Sequence, residues 1–459
     1  MYQLTREQLL KDLYQAFKDA SKHKRNKSYV KRFAKNLDKN LEELCDELWE
    51  RRYAARACQR FVVFYPKVRE VFAADFRDRI VHHLYYNYTH ELYERTFIQD
   101  TYSCIPERGT HYGIDRLEQH IRQASLNYTE VCYVLKLDVS GYFMHIQRER
   151  LLEIALGSLK QMSGHRILKR VPKTWGDRLD MGFLEYLTRE ITLLDPAENC
   201  YIMGDPANLD LVPFGKKITD VPKGCGLPIG NLTSQEFSNV YLNLLDQYIK
   251  RELHAKHYGR YVDDLYIVSC DKAWLLSLVP KIQNFMQQVL GLSLQQGKTR
   301  IYKVQEGVPF LGAFLKPGRR YIENKSLHNM YVKMDEMVKN LPSNPMERAE
   351  RLNASLNSYM GVLGHYHSYN IRRDMMNRYG LSDFGIFSLD MKKFRAFEPL
   401  RLPEVSIEDF HFDFEKEDWG LDLDIDFDPT DLDSYLNVDT SDWEEVNWKQ
   451  LELELDLKY

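Results

Sequence analysis

Residues 257–269 read HYGRYVDDLYIVS, in which two apolar runs flank the pair Asp263-Asp264. Two strand-like runs separated by a tight connection predict a β-hairpin with the two carboxylates at its tip. Successive residues of a regular strand point to opposite faces of a sheet, so a turn is needed for both side chains to approach one site. We therefore expect the side chains of Asp263 and Asp264 to approach one site at the tip of this hairpin.

A second run, 131–139 (VCYVLKLDV), is rich in β-branched and apolar residues and predicts a buried strand that stops at Asp138. Buried carboxylates without partners are costly, so a cluster of Asp138, Asp263 and Asp264 requires a cation. Carboxylate oxygens favour Mg²⁺, which takes its remaining ligands from water and substrate phosphates. Two such ions about 3.5–4 Å apart can activate an attacking hydroxyl group and stabilise the leaving oxygen of an in-line displacement.

The segments around these carboxylates are predicted to be largely helical. A glycine-dense loop at 224–230 (GCGLPIG) opens into a predicted helix from about 234 to 254, with Thr233 or Ser234 as the N-cap. Residues 150–222 are predicted to mix helices with a loop rich in Gly, Pro and Asp. Apolar spacing predicts further helices before residue 58 and at about 72–93, 114–124 and 327–379.

Charge is distributed unevenly along the 459 residues, which are 44% hydrophobic and 28% charged, as expected of a globular protein. Residues 403–459 contain 20 acidic and three basic residues, whereas the rest of the chain contains 60 basic and 47 acidic residues. A basic body with an acidic tail indicates a body that binds a polyanion such as a nucleic acid.

The seven cysteines include no C-x-x-C pair, which argues against a structural zinc site and a disulfide framework. We predict buried free thiols. The N-terminal residues MYQLTREQLLKDL lack the plan of a secretion signal, and no apolar run is long enough to cross a bilayer. A cytoplasmic protein without a membrane partner is therefore expected.

The order of these motifs is specific. A strand ending at Asp138, Phe143 five residues later, the glycine loop, the YVDD hairpin and Lys298 together resemble the motif series of reverse transcriptases, over about 61–315. The resemblance implies an RNA-directed DNA polymerase that binds an RNA template, the RNA–DNA hybrid and dNTPs, and uses two Mg²⁺ ions.

The same resemblance implies an α+β fold of the right-hand polymerase type, with fingers, a palm built on an antiparallel sheet, and a helical thumb. The expected divisions are a helical N-terminal region at 1–58, interleaved fingers and palm at 59–315, the thumb at 316–402, and an acidic C-terminal extension at 403–459.

Residue by residue, the resemblance implies that Asp138, Asp263 and Asp264 bind the metal ions, with the carbonyl of Val139 as a further ligand. Phe143 matches the aromatic residue under the incoming sugar, where a ring leaves no room for a 2′-hydroxyl group.

Further matches concern phosphates and the primer. Lys298 resembles the palm lysine that donates a proton to pyrophosphate. Lys67 and Arg69, in FYPKVRE, resemble the fingers residues that grip the triphosphate, a task suited to a guanidinium and an ammonium group. Arg108 is a candidate for template or nucleotide contact, and Tyr261 for support of the primer end. Phe310-Leu311-Gly312 matches the hairpin that grips the primer strand.

One difference from most reverse transcriptases indicates a particular group within that family. Most reverse transcriptases have Gln-Gly in the glycine loop, whereas this chain has Ile229-Gly230 in LPIGNLTSQ. This form looks like the enzymes of diversity-generating retroelements, which copy a template-repeat RNA with errors at adenines. An aliphatic side chain removes hydrogen bonds that would report base geometry, so low selectivity is physically reasonable.

The acidic tail has three possible roles. In diversity-generating systems, a basic accessory protein is its expected partner. The alternatives are that the tail shields the cleft, or that it is solvated and disordered and has no specific role.

The thumb region 355–380 also resembles that of the diversity-generating enzymes. Four of its residues are either phosphate contacts or ordinary surface residues: His365, His367, Arg372 and Arg373.

A reverse transcriptase of antiviral defence is the alternative function within the family. From another class, a non-catalytic RNA-binding relative is the alternative, and the three intact aspartates oppose it. An RNA-copying RNA polymerase is opposed by Phe143 and by YVDD in place of GDD.

Overall fold

The computed structural model describes residues 2–64, 67–167 and 173–397. These residues divide into two compact units, 2–332 with Leu363–Ser368, and Lys333–Val362 with 369–397. The acidic extension predicted at 403–459 lies outside the described residues, so its structure stays a prediction. Both helices and sheets are present, as expected for an α+β protein.

The helices of the first unit share a large buried core with its strands. Leu13 from the N-terminal helices lies in the same buried cluster as Ile80, Leu242 and Leu265, so the N-terminal region shares a core with the rest of the unit. In chain order the helices are α1 (Arg6–Ser21), α2 (Ser28–Ala34), α3 (Leu37–Trp49), α4 (Phe76–Glu94), α5 (Thr110–Ala124), α6 (Tyr142–His145), α7 (Arg148–Ser163), α8 (Met181–Leu193), α9 (Leu232–Gln247) and α10 (Lys272–Phe285).

The strands of the first unit form three sheets. They are β1 (Cys58–Val63), β2 (Arg69–Ala73), β3 (Tyr133–Asp138), β4 (Cys200–Ile202), β5 (His257–Tyr261), β6 (Asp264–Ser269), β7 (Arg300–Lys303), β8 (Val308–Phe310), β9 (Ala313–Lys316) and β10 (Arg319–Ile322). The sheet orders are β2-β1-β4, β5-β6-β3-β7 and β10-β9-β8.

The central sheet β5-β6-β3-β7 is antiparallel and confirms the two strand predictions made from the sequence. The predicted hairpin is β5–β6, in which Tyr261 pairs with Asp264. The run that ends at Asp138 is β3, which lies between β6 and β7. We refer to this sheet as the palm sheet.

The sheet β2-β1-β4 contains a strand that the sequence did not reveal. β4 lies in the segment predicted as helices and loop, and it pairs in parallel with β1, with Cys58 opposite Cys200. Three residues are too few for an alternation of apolar and polar positions to be recognised, which explains the omission.

Two helix starts differ from prediction. α4 begins at Phe76 because Phe72 belongs to β2 and the side chain of Asp75 accepts a hydrogen bond from the backbone N–H of Arg77 at 3.0 Å. α9 has Asn231 as its N-cap residue, so the predicted cap at Thr233 or Ser234 is wrong. The hydroxyl group of Thr233 instead bonds Nδ1 of the buried His82 at 2.8 Å.

The cysteine prediction is only partly correct. Cys45, Cys58 and Cys132 are buried free thiols, but Cys104 and Cys270 are exposed. Across 2–64, 67–167 and 173–397, no helix combines the length and the apolar character that a bilayer span requires.

The second unit is mainly helical, as predicted for this region. It is built from parts of α11 (Asn324–Lys339) and α12 (Pro345–Gly364), with α13 (Tyr369–Arg378) and the hairpin β11 (Gly385–Phe387)–β12 (Phe394–Ala396). The amide group of Asn357 donates to the carbonyl of Phe394 and accepts from its N–H, both at 2.8 Å, which fixes the hairpin to α12.

Candidate active site

Three aspartates meet at one end of the palm sheet. Asp138, the last residue of β3, is the register partner of Asp264, the first residue of β6. Side chains in such directly opposed positions have Cβ atoms about 4.5–5.5 Å apart on one face of the sheet. Asp263 lies in the turn between β5 and β6, and its carbonyl accepts a hydrogen bond from the N–H of Val139 at 3.3 Å. Residues far apart in the sequence therefore converge.

The protein environment disfavours the ionised form of two of these carboxyl groups. Burial and the neighbouring charge of Asp138 raise the pKa of Asp263. Burial raises the pKa of Asp264 to about 6, against the opposing influence of Lys136 and with a further contribution from Asp263 and Asp138. The carboxylates therefore repel one another in a poorly solvated place, where a cation would be stabilised.

Two lysines pair with the cluster. Nζ of Lys298 lies 2.8 Å from Oδ2 of Asp138, and Nζ of Lys136 lies 3.2 Å from Oδ2 of Asp264. Lys136 also lies over the ring of Phe310, 5.4 Å from its centroid. Sequence reasoning singled out Lys298 but missed Lys136. The signal was present, because Lys136 precedes Asp138 by two positions on one strand and must share its face.

A groove of about 430 Å³ opens beside Asp138 and Asp264. Its charged lining consists of Lys136, Lys298 and Arg300 together with these two aspartates and Glu323. Its other walls include Phe310, Leu311 and Gly312, the predicted primer-grip residues, which link β8 to β9.

The carboxylates fit a divalent cation by their chemistry. In the part of the chain that the structure describes, no three His, Cys, Asp or Glu side chains already form a metal-binding group. The oxygens of Asp138 and Asp264 instead contact the two lysines. Even so, carboxylate oxygens are hard donors of the kind that Mg²⁺ prefers.

The glycine loop is tied to both neighbouring segments. The N–H of Leu227 donates to the carbonyl of Phe143 at 2.8 Å, and the N–H of Gly226 donates to that of Ile146 at 2.9 Å. On the other side, the N–H of Phe72 in β2 donates to the carbonyl of Ile229 at 3.0 Å. The loop therefore bridges β2 and the segment that follows Asp138.

Gly230 occupies a position that other residues cannot adopt easily. Its φ is +123°, and a Cβ there would lie 2.9 Å from the carbonyl oxygen of Phe72 and 3.1 Å from Cγ1 of Val71. We expect Gly230→Ala to lower the free energy of unfolding by roughly 1–3 kcal/mol through backbone strain and this contact. Urea unfolding monitored by circular dichroism measures the change.

Gly157 provides the matched control, because it lies inside α7 and a Cβ added there would have no atom within 4 Å. Gly157→Ala should be neutral or stabilise the protein by up to about 1 kcal/mol. Equal effects of the two substitutions would contradict the proposed strain at Gly230.

Phe143 and Ile229 lie close to one small apolar cluster. Both are partly buried and pack against the core formed by Cys58, Phe72, Met144 and Ile218. The ring of Phe143 also contacts that of Tyr142, with centroids 5.3 Å apart. The residue predicted to exclude a 2′-hydroxyl group and the residue that replaces the usual glutamine are therefore neighbours of the same core.

Of the two residues predicted to bind the triphosphate, Arg69 is the one whose charge acts on the aspartate cluster. Lys67 and Arg69 are both exposed, and Arg69 is the first residue of β2. The positive charge of Arg69 acts to lower the pKa of Asp263, which places its guanidinium group within electrostatic range of the cluster. Lys67 follows the two residues at 65–66 that the structure does not describe.

Arg108 and Tyr261 have protein partners. Nη1 of Arg108 donates to the carbonyls of Gln99 and Thr101 at 3.1 and 3.2 Å. Tyr261 accepts a long hydrogen bond of 3.5 Å from the hydroxyl group of Thr110. These contacts support a structural role for Arg108, and its contact with template or nucleotide stays a prediction.

The four predicted phosphate contacts of the thumb region also have protein partners. In the first unit, the ring of His365 stacks on that of His111, and the N–H of His367 donates to the carbonyl of Arg320 at 2.8 Å. In the second unit, Arg372 donates to the carbonyl of Asp390 at 3.3 Å, and Arg373 lies 6.0 Å from the ring centroid of Tyr369. These contacts favour packing roles, and phosphate contact stays a prediction.

Comparison with known proteins supplies independent information. A family model described as reverse transcriptase (RNA-dependent DNA polymerase) matches residues 177–315. The matched segment includes Gly230, Asp263, Asp264 and Lys298 and begins after Asp138. The mixed helix and sheet architecture together with this match fits a right-hand polymerase fold. Among curated proteins, no significant sequence match was found.

Similar solved structures include two telomerases. Apo telomerase from Candida tropicalis is 11% identical, with a TM-score of 0.42, and the alignment covers 71% of this chain and 62% of that chain. Telomerase from Candida albicans in complex with the TWJ fragment of telomeric RNA is 11% identical, with a TM-score of 0.39 and coverages of 73% and 61%. The chain therefore spans less than two thirds of the length of either telomerase.

Proposed function

We propose that this chain, in which the reverse transcriptase family model matches residues 177–315, is an RNA-directed DNA polymerase that makes cDNA on the RNA of a diversity-generating retroelement. The observation that carries the polymerase proposal is the pairing of Asp138 with Asp264 across β3 and β6, with Asp263 in the adjoining turn. This arrangement supports nucleotidyl transfer, because phosphoryl-transfer catalysis depends on metal positioning and electrostatics.

Asp138, Asp263 and Asp264 would hold two Mg²⁺ ions, with the carbonyl of Val139 as a further ligand. Reverse transcriptase domains generally use divalent metal ions, typically Mg²⁺. When bound, the ions supply positive charge for activation of the primer hydroxyl group and for neutralisation of the leaving pyrophosphate. The carboxylates themselves orient the site, since their positions are fixed by strand pairing and the β5–β6 turn.

The basic side chains would bind the phosphates. Lys298, whose side chain is 57% exposed beside Asp138, would give its Nζ proton to the pyrophosphate. Lys67 and Arg69 would grip the triphosphate from the β1–β2 hairpin. Bidentate hydrogen bonds from the guanidinium group and a point charge from the ammonium group suit this ligand.

The groove beside the aspartates would hold the primer end. Lys136 and Arg300 supply positive charge for its phosphates, and the segment from Phe310 to Gly312 lines the same groove. Template RNA paired with this strand would be held by its shape and backbone, as is usual for an A-form hybrid. Tyr261 lies next to the aspartate turn, which supports its proposed role near the primer end.

Primer extension tests the polymerase proposal. The full chain, an RNA template, a DNA primer and Mg²⁺ should yield extended DNA with dNTPs and far less product with NTPs. Extension on a DNA template of the same sequence gives the template preference. Absence of extension from the wild-type chain, with a known reverse transcriptase active on the same template, would overturn the proposal.

The glycine loop supports the diversity-generating assignment and leads to a prediction about fidelity. Ile229→Gln restores an amide group that can hydrogen-bond, and we expect roughly fivefold fewer misincorporations opposite template adenines, since one hydrogen bond contributes about 1 kcal/mol. Sequencing of cDNA made on an adenine-rich template measures this rate.

Ile229→Leu is the control for the fidelity prediction, since it keeps an aliphatic side chain against the Phe72 and Met144 cluster. Its error rate should equal that of the wild type. If Ile229→Gln and Ile229→Leu misincorporate equally at adenines, residue 229 does not set fidelity.

A basic accessory protein is the proposed partner of this enzyme. The proposal is supported by the 20 acidic and three basic residues of 403–459, which give this segment a net charge opposite to that of a basic protein. Such an interaction should weaken as the salt concentration rises.

A further inference from the structure

The backbone at the tip of the β5–β6 hairpin has an unusual conformation. Val262, which separates Tyr261 from Asp263, has a φ of +52°. β-Branched residues rarely adopt this left-handed region, because the branched side chain crowds the backbone. The conformation must therefore be imposed by contacts elsewhere in the fold.

Two hydrogen bonds hold the peptide groups that precede and follow the Cα atom of Val262. Its N–H donates to Oγ of Ser103 at 3.0 Å, and its carbonyl accepts from Nη1 of Arg260 at 3.0 Å. The next residue is Asp263, whose own carbonyl bonds the N–H of Val139. Any rotation of the Val262 backbone therefore moves Asp263 relative to β3.

Arg260 is itself fixed by a buried ion pair. The side chains of Arg260 and Asp246 are both 0% exposed. Nε of Arg260 lies 2.8 Å from Oδ1 of Asp246, and Nη2 lies 2.7 Å from Oδ2. Oδ1 also accepts from the hydroxyl group of Tyr258 at 2.5 Å, and Oδ2 accepts from that of Thr101 at 3.2 Å. The guanidinium plane is thereby locked, with Nη1 left to face the turn.

One further residue joins the two supports of Val262. Nη1 of Arg260 also donates to Oδ1 of Asn239 at 3.1 Å, and Nδ2 of Asn239 donates to the carbonyl of Ser103 at 2.7 Å. Arg260, Asn239 and Ser103 therefore form one connected network, which is anchored on α9 through Asn239 and Asp246.

We propose that Arg260, oriented by Asp246, is a positioning residue that keeps Val262 in its left-handed conformation and so places Asp263 beside Asp138. The inference rests on the proposed polymerase function and deepens it. The ion pair acts on the reaction through the turn, since Arg260 contacts none of the three aspartates through the hydrogen bonds described above.

The test uses Arg260→Lys in the full chain. Lysine keeps the charge opposite Asp246 but lacks the second nitrogen that reaches the carbonyl of Val262. We expect kcat for primer extension to fall roughly 10–100-fold, the scale expected when a catalytic group is displaced by about 1 Å. KM for dNTP should change less than about threefold, because the triphosphate ligands are untouched. Hydrogen exchange of a peptide covering 257–268 should become faster.

A second substitution separates positioning from general damage. Glycine adopts positive φ without a Cβ penalty, so Val262→Gly in the Arg260→Lys background should recover about tenfold of the lost kcat. Ser103→Ala removes the other support of Val262 and should reproduce the fall in kcat, which provides the test if Arg260→Lys does not fold.

The outcomes are distinguishable. A wild-type chain without extension activity would overturn the proposed function. An active wild type, with kcat unchanged in Arg260→Lys and in Ser103→Ala, would overturn only the positioning role. Loss of kcat without recovery by Val262→Gly would also overturn it, since the effect would then not pass through the conformation of residue 262.

Discussion

Asp263→Asn is expected to abolish primer extension and, at the same time, to raise the free energy of unfolding. The amide group cannot supply the negative charge that a metal ligand needs, and we expect a loss of about 10³-fold or more, because phosphoryl-transfer catalysis rests largely on metal positioning. Stability should increase because burial and Asp138 raise the pKa of Asp263, so that its ionised form is unfavourable in the fold. Primer extension and urea unfolding at pH 8 measure the two effects.

The effect of an amide substitution on stability should depend on pH, and Asp264→Asn can be used to check the direction of this dependence. The pKa of Asp264 is raised from 3.8 to about 6 in the folded protein. The folded chain therefore binds this proton more tightly than the unfolded chain, and the resulting stabilisation is complete below about pH 4 and lost as the pH rises through about 6. Asp264→Asn should accordingly stabilise the protein more at pH 8 than at pH 5.

Asp271→Asn is a useful control, since Asp271 is an exposed N-cap residue of α10 outside the aspartate cluster. Asparagine caps helices about as well as aspartate, so neither activity nor stability should change appreciably. Persistence of DNA synthesis in Asp263→Asn would remove the metal-ligand role of this residue. A loss of stability in both amide variants of the cluster would contradict the electrostatic account.

Phe143→Val is expected to remove the preference for deoxynucleotides. The shorter side chain would leave room for a 2′-hydroxyl group, and the ratio of kcat/KM for dNTP to that for NTP should fall roughly 100-fold, the scale on which a pocket separates substrates that differ by one small group. Single-nucleotide extension with dCTP and CTP opposite template guanine measures the ratio.

Phe143→Tyr is the matched control, because it keeps the ring against the Met144 and Ile218 cluster. It should retain the preference for dNTP. The alternative view of Phe143 as an ordinary core residue predicts a different result, in which Phe143→Val loses stability and total activity while the dNTP to NTP ratio stays constant.

The local sequence pattern was sufficient to predict the strands and the hairpin that carry the aspartates. The two apolar runs in residues 257–269 predicted the β5–β6 hairpin, and the apolar run before Asp138 predicted β3. Both are strands of the palm sheet with strong apolar character, so their sequences report their burial directly. The order of motifs then indicated a polymerase, in agreement with the family match at 177–315.

The local sequence pattern did not predict the secondary structure correctly where contacts with distant residues override local preference. The three-residue strand β4 exists because it pairs with an edge of β1. Thr233 looked like an N-cap residue, but its hydroxyl group is used by the buried His82, and the helix begins earlier, after Asn231. In both cases the deciding partner is distant in the sequence.

The sequence by itself determined the three acidic side chains, the placement of one at a strand end and of two at a hairpin tip, and the class of reaction that such residues indicate. Only the tertiary structure decided that Lys136 pairs with Asp264 on the neighbouring strand, and that the buried pair of Arg260 and Asp246 supports the turn. The physical reason is that a carboxylate's chemistry belongs to the residue itself, whereas its pKa and its orientation depend on burial and on charges that folding brings within a few ångströms.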